Sequence, residues 1–113
     1  MIVEERIYRI RSGKTSEYLK LVREEGLAIQ EPILGGLIGY FVTEVGPLNQ
    51  VVHLWRYVDF ADRVARRRTL SADARWRAFI PKLTARSKAR KTVSFFRPIF
   101  HHSNRRRETQ GKP

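Results

Sequence analysis

Residues 37–57 read LIGYFVTEVGPLNQVVHLWRY, and this stretch decides the fold. Two runs rich in β-branched and aromatic residues, Leu37 to Val45 and Gln50 to Tyr57, flank Gly46-Pro47-Leu48-Asn49. A short loop containing Gly, Pro and Asn joins antiparallel strands into a hairpin. In the second run Val51, His53, Trp55 and Tyr57 alternate with Gln50, Val52, Leu54 and Arg56. In the first, Leu37, Phe41 and Val45 alternate with Ile38, Tyr40, Val42 and Glu44. A sheet face left to water should be polar. Here both faces carry large apolar groups, so both must be covered.

The flanking sequence supplies the rest of the sheet. Ile2 to Arg11 alternates as Ile2, Glu4, Arg6, Tyr8, Ile10 and Val3, Glu5, Ile7, Arg9, Arg11, which predicts a first strand. Ser12-Gly13 makes a turn. A helix follows from Thr15 to Gln30, with Tyr18, Leu21, Val22 and Ile29 as its apolar stripe and Lys20 pairing with Glu24 on the far side. Gly26 within it points to close packing or an early end, and Pro32 argues against helix beyond Glu31. Asp59 can cap a helix from Phe60 to Leu70. Ser71 can cap another, in which Trp76, Phe79, Ile80 and Leu83 share a face and Pro81 should cause a kink. Thr92 to Ile99 reads as the last strand.

The order β-α-β-β-α-β predicts an α+β, ferredoxin-like fold with a four-stranded antiparallel sheet. Helices then cover one sheet face only. The second face is expected to pack on another copy, giving a homodimer built sheet to sheet. The domain spans residues 1–100, and residues 101–113 read as a basic, disordered C-terminal tail.

The 113 residues, of 13.3 kDa, make one domain. The net charge of +12 and pI near 11.1 suggest a nucleic-acid partner until the charge is located. Residues 1–81 hold 13 Lys/Arg against 10 acids, net +3; residues 82–113 hold 10 against one, net +9. The basic character therefore belongs to the C-terminal end. The absence of cysteine excludes disulfides, thiolate metal sites and cysteine nucleophiles. The longest uncharged run, Pro32 to Thr43, has 12 residues, short of the roughly 20 a membrane helix needs. Ile2 and Val3 meet charge at once, so no signal region is read and a cytoplasmic location is expected.

The run Leu34-Gly35, Gly39-Tyr40-Phe41 and Glu44 through Tyr57, above all Gly46-Pro47-Leu48-Asn49-Gln50-Val51-Val52-His53-Leu54-Trp55, resembles the NIPSNAP family. So do the opening Ile2-Val3-Glu4 with Arg6-Ile7-Tyr8, the Gly13-Lys14 turn, and Asp62-Arg63 followed by Arg66-Arg67-Arg68. The resemblance covers roughly residues 1–85. It implies a ferredoxin-like domain that dimerises into an α+β barrel, in agreement with the two-faced strands. It implies no settled reaction.

His53 shares a strand face with Trp55 and Tyr57, and is the candidate catalytic residue: a general base or ligand contact in an aromatic-lined pocket, or else a buried histidine with a satisfied partner. Arg6, Tyr8 and Arg56 fall on strands that a ferredoxin-like order makes neighbours. They could bind a carboxylate or phosphate, or form interfacial ion pairs with Glu4 or Glu44. Trp55, Gln50 and Glu44 complete the candidate ligand-binding set. Asn49 suits turn chemistry. Arg66, Arg67 and Arg68 are consecutive on a helix and cannot form one tight face, so they read as solvated. Trp76 reads as core. His101-His102 lacks a third ligand, and no metal or cofactor is expected.

These features point to a small-molecule-binding protein or cofactor-independent enzyme, with the pocket between sheet and helices. His53 would take a proton from an acidic phenol or ketone while an arginine held the anion. The alternative is a non-enzymatic interaction protein whose basic C-terminus contacts nucleic acid or anionic membrane.

Overall fold

A computed structural model of the chain describes residues 1–100. Its elements are β1 (Ile2–Ile10), α1 (Thr15–Leu21), a π-helical turn (Val22–Gly26), α2 (Leu27–Leu34), β2 (Leu37–Val42), β3 (Gln50–Tyr57), α3 (Phe60–Ala72), α4 (Ala74–Thr84) and β4 (Ser87–Phe96). The four strands form one antiparallel sheet in the order β2-β3-β1-β4. This is the expected ferredoxin-like α+β fold. No helix among the described residues is long and apolar enough to cross a membrane.

Register decides which side chains meet the helices. Glu4, Arg6 and Tyr8 of β1 stand opposite Trp55, His53 and Val51 of β3. Paired residues share a face, so these six all point one way. The core forms there: Ile10, Val51, Trp55 and Tyr57 from the sheet meet Tyr18, Val22, Leu34, Leu70, Phe79 and Leu83 from the helices. Each such side chain contributes about 1.5–3 kcal/mol when fully buried.

The first helical stretch keeps one face inward by changing its winding. Tyr18, Val22, Gly26, Gln30 and Leu34 are all buried, each four residues after the last. In a 3.6-residue helix that spacing drifts about 40° per step. A π turn takes more residues per turn and cancels part of the drift. Gly26 sits inside that turn because a Cβ there would lie 3.0 Å from the Phe79 ring. Close packing is thus its role.

Several boundaries differ from the sequence expectation. Helix continues through Pro32 to Leu34, because burial of Leu34 offsets the missing hydrogen bond, and Gly35, at φ 81°, closes the end by donating to the Glu31 carbonyl at 2.8 Å. Asp59 caps α3 as expected, accepting from the Asp62 amide at 2.8 Å. The cap of α4 is Asp73, not Ser71; its Oδ1 accepts from the Arg75 and Trp76 amides. Strand β4 runs from Ser87 to Phe96 rather than from Thr92 to Ile99. Its first half is charged because β4 is an edge, where Lys88 and Arg90 discourage further strand pairing. Strand β2 stops at Val42, and Asn49 closes the loop in the left-handed region at φ 54°.

The face turned away from the helices carries Val3, Ile7, Val52 and Leu54, all half-buried. Phe41 and Phe96 join it at 50% and 51% exposure.

Candidate functional site

A cavity of about 180 Å³ lies between the sheet and the helices. The sheet contributes Arg6, Tyr8, Tyr40, His53 and Lys91 to its wall. The helices contribute Tyr18, Gln30, Arg67 and Trp76. At about 30 Å³ per molecule of liquid water, such a space suits a small ligand. Tyr40 reaches it through a strand irregularity. Leu37 pairs with Trp55 but Gly39 already pairs with Leu54, so Ile38 is an extra residue. The shift puts Tyr40 opposite His53, on the same face as Leu37. A plain alternation places Tyr40 and Leu37 on opposite faces, and the bulge corrects it.

His53 is the centre of the wall. Its strand lies between β1 and β2, so it has a tyrosine ring on each side. The Tyr40 ring stacks on the imidazole at 4.4 Å with 2° between planes, and Tyr8 stacks at 5.3 Å and 21°. The Trp55 indole Nε1–H donates to His53 Nδ1 at 2.6 Å. Burial first, then the charges of Arg6, Arg67 and Lys91, push the His53 pKa down to about 3. The ring is therefore neutral at pH 7. An indole nitrogen can only donate, so Nδ1 must be the unprotonated nitrogen and Nε2 carries the proton. His53 thus offers a hydrogen-bond donor at neutral pH. Of the two roles expected for His53, general base or ligand contact, this arrangement favours the contact, because Trp55 engages the lone pair that a base would use.

Behind His53 lies a buried ionic cluster. Glu4 is fully buried; its Oε2 accepts from Arg6 Nη1 and from Arg63 Nη2, each at 2.9 Å. Its Oε1 accepts from the Tyr57 hydroxyl at 3.3 Å. Burial pushes the Glu4 carboxyl up. The bond and charge of Arg63, with the charge of Arg6, outweigh that and hold it below the ordinary value. Arg6 also donates from Nε and Nη2 to the Tyr8 hydroxyl, at 3.1 and 2.8 Å. The guanidinium is thus fixed between a carboxylate and a phenol, and the Glu4 pair forms within the chain.

The candidate residues separate into two groups. Arg6, Tyr8, His53 and Trp55 come together, the first three on the cavity wall and Trp55 directly behind His53. Gln50, Glu44 and Arg56 do not join them. Gln50 pairs with Arg9 on the opposite sheet face. Glu44 is exposed in the loop after β2. Arg56 pairs with Val3 on the outer face and borders a separate cleft of about 430 Å³. Gln50 and Arg56 follow from strand parity, since a residue one position from His53-type parity points the other way, and Glu44 falls beyond the end of β2.

Residues of α3 complete the site, among them Arg67, which reads as solvated in the sequence. Arg63 and Arg67 are one turn apart and both face the sheet, Arg63 onto Glu4 and Arg67 into the cavity. Arg66 turns aside, to Asp62 and the Ile33 carbonyl. The usable signal is the i, i+4 spacing of Arg63 and Arg67, not the run Arg66–Arg68. Trp76 is both core and wall. The basic run and histidines of residues 101–113 lie outside the described residues.

A ferredoxin-like α+β domain with a polar pocket between sheet and helices is the class these observations define. Residues 3–98 match the NIPSNAP family model, and the chain belongs to that family. A NIPSNAP family protein from Agrobacterium tumefaciens is 60% identical, with a TM-score of 0.83 over 86% of this chain and 91% of that one. A second A. tumefaciens NIPSNAP protein, 41% identical over 87% of both chains with a TM-score of 0.84, is of unknown function. Mouse NipSnap homolog 3B is 32% identical over 98 residues, 84% of this chain; the chain spans only 39% of that relative's length. An antibiotic biosynthesis monooxygenase shares the fold alone, at 20% identity and a TM-score of 0.61 over 88% of this chain and 99% of that one.

Proposed function

We propose that this NIPSNAP chain is a small-molecule-binding protein that takes its ligand, without a cofactor, in the cavity between sheet and helices. The observation that carries this reading is the wall around His53. Its Nε2–H has no protein acceptor among the described residues, and the imidazole sits between two tyrosine rings on the cavity wall. A ligand oxygen placed there would accept that proton, a net gain of about 0.5–1.5 kcal/mol for a typical hydrogen bond. His53 would donate from Nε2 to a ligand oxygen while Tyr8 and Tyr40 bracket it. If the site also catalyses, the neutral imidazole polarises a carbonyl or stabilises an enolate rather than abstracting a proton.

The proposal includes a homodimer formed through the outer sheet face. Its support is the apolar surface of Val3, Ile7, Phe41, Val52, Leu54 and Phe96, which no helix among the described residues covers. A cytoplasmic location belongs to the same proposal, supported by the lack of cysteine. Native mass spectrometry of the purified protein tests both parts. A dimer carrying a co-purified small molecule, lost in His53→Ala, is expected. A monomer would remove the dimer, and a co-purified molecule retained unchanged in His53→Ala would remove the site.

A further inference from the structure

The wall of the cavity is unbalanced in charge. Arg6, Arg67 and Lys91 line it, and no aspartate or glutamate does. Glu4 is the nearest carboxylate, and it is already engaged by Arg6 and Arg63. Arg67 is different from its neighbours on α3. Arg63 has Glu4 and Arg66 has Asp62, each within 2.9 Å. Arg67 has no hydrogen-bond or ion-pair partner among the described residues, although it is half-buried. Burial and then the like charge of Arg6 lower its pKa from the ordinary arginine value. A partly buried guanidinium held beside another, without an ion-pair partner among the described residues, is disfavoured in the empty protein.

The neutral groups point the same way. The Tyr8 oxygen accepts from Arg6, which leaves its own proton free to donate. Gln30 Oε1 already accepts from the Tyr40 hydroxyl, and its two amide protons remain to donate. His53 presents Nε2–H. The Tyr18 hydroxyl, on a buried ring, also meets the cavity without a protein partner among the described residues. These groups offer protons to whatever enters.

We infer that the ligand of this cavity is a small organic anion, its negative oxygens held by Arg67 with the Tyr18, Tyr8 and His53 donors. The inference rests on the pocket reading above and names the ligand class of that site. It gives Arg67 a definite role, that of the anchoring charge. It also makes Arg67 a residue kept for binding at some expense of stability.

The test is a titration read by tryptophan fluorescence, since Trp76 is in the wall and Trp55 is bonded to His53. Benzoate and phenyl phosphate are compared with neutral benzamide, in wild type, Arg67→Met and Arg67→Lys. The two anions should bind and benzamide should bind at least about tenfold more weakly. Arg67→Met should weaken benzoate roughly 10- to 100-fold, as expected for loss of a charge-assisted contact, and Arg67→Lys should recover part of it. Arg67→Met should also unfold at a higher temperature than wild type when no ligand is present. Benzamide binding as tightly as benzoate, or an unchanged benzoate affinity in Arg67→Met, would overturn the anion and leave the pocket standing. No response to any of the three compounds, in a protein that also carries no co-purified molecule, would sink both.

Discussion

The indole N–H of Trp55 donates to His53 Nδ1 at 2.6 Å, two residues along one strand and on one face of the sheet. This single bond fixes the chemistry of the site. It assigns the imidazole proton to Nε2, turns a candidate base into a donor, and holds the ring between Tyr8 and Tyr40. Both partners are buried, so neither can exchange the bond for water.

Replacing Trp55 with Phe should therefore do more than remove ring area. It leaves Nδ1 without its donor and frees the imidazole to change tautomer. Loss of a buried hydrogen bond costs about 1–3 kcal/mol, which urea unfolding of Trp55→Phe should show. An unchanged midpoint would mean that the indole bond contributes nothing.

The buried neutral His53 makes stability depend on pH with a defined sign. Its pKa falls from 6.5 to about 3 on folding. Above pH 6.5 both states are neutral there and the contribution is complete. As pH falls below 6.5 the unfolded chain takes a proton that the folded chain refuses, and stability drops by up to about 1.4 kcal/mol per pH unit. The loss from this group ends near pH 3. Urea midpoints of wild type and His53→Gln between pH 6.5 and 4.5 should converge as pH falls. Parallel curves would show that folded His53 takes up its proton over the same pH range as the unfolded chain.

Glu4 holds two guanidiniums at 2.9 Å and lies entirely out of water. Glu4→Gln leaves Arg6 and Arg63 without their shared charge. Removing one partner of a buried ion cluster costs about 3–5 kcal/mol, so Glu4→Gln should be the most destabilising of these polar substitutions. Equilibrium unfolding in urea measures it, and a loss below that of Trp55→Phe would contradict this account.

Gly36 marks where β2 meets the end of β3. Its carbonyl accepts from the Arg56 amide at 2.7 Å, and a Cβ at Gly36 would overlap the Arg56 carbonyl oxygen. Gly36→Ala should lower stability by about 1–3 kcal/mol through displaced strand pairing. Gly13→Ala is the useful comparison. It meets no neighbour within 4 Å and carries only the strain of φ 78°.

The outer sheet face yields a prediction about assembly. Val52 and Phe41 stand opposite each other in β3 and β2, and Phe41 is half exposed. Val52→Asp should convert the proposed dimer to a monomer in light scattering, while Arg68→Ala, at an exposed position of α3, should not. A wild type that is already monomeric at every concentration would remove this part of the account.

The sequence made much of this visible, for physical reasons that differ by element. The bounds of strand β3 were legible because Val51, His53, Trp55 and Tyr57 keep period two, but with apolar residues in both sets the face that His53 takes was not. Asp59 was legible as a cap because a short acid before a helix has one clear use. The bulge at Ile38 was not, since one extra residue leaves no compositional trace yet reverses every side chain beyond it. Nor was β4 before Thr92, where edge-strand charge hides the alternation. The inward turn of Arg63 and Arg67 was hidden by the neighbouring Arg66 and Arg68, which share the type but not the face.

The most direct measurement is 15N NMR of the His53 imidazole at pH 7 during titration with benzoate, assigned against His53→Gln. The account predicts an unprotonated Nδ1 and a protonated Nε2 in the free protein. As benzoate enters, the Nε2–H signal should move while Nδ1 stays unprotonated and bonded to Trp55. A proton on Nδ1, or an Nε2–H signal that no ligand shifts, would contradict the claim that His53 is the donor of a binding pocket.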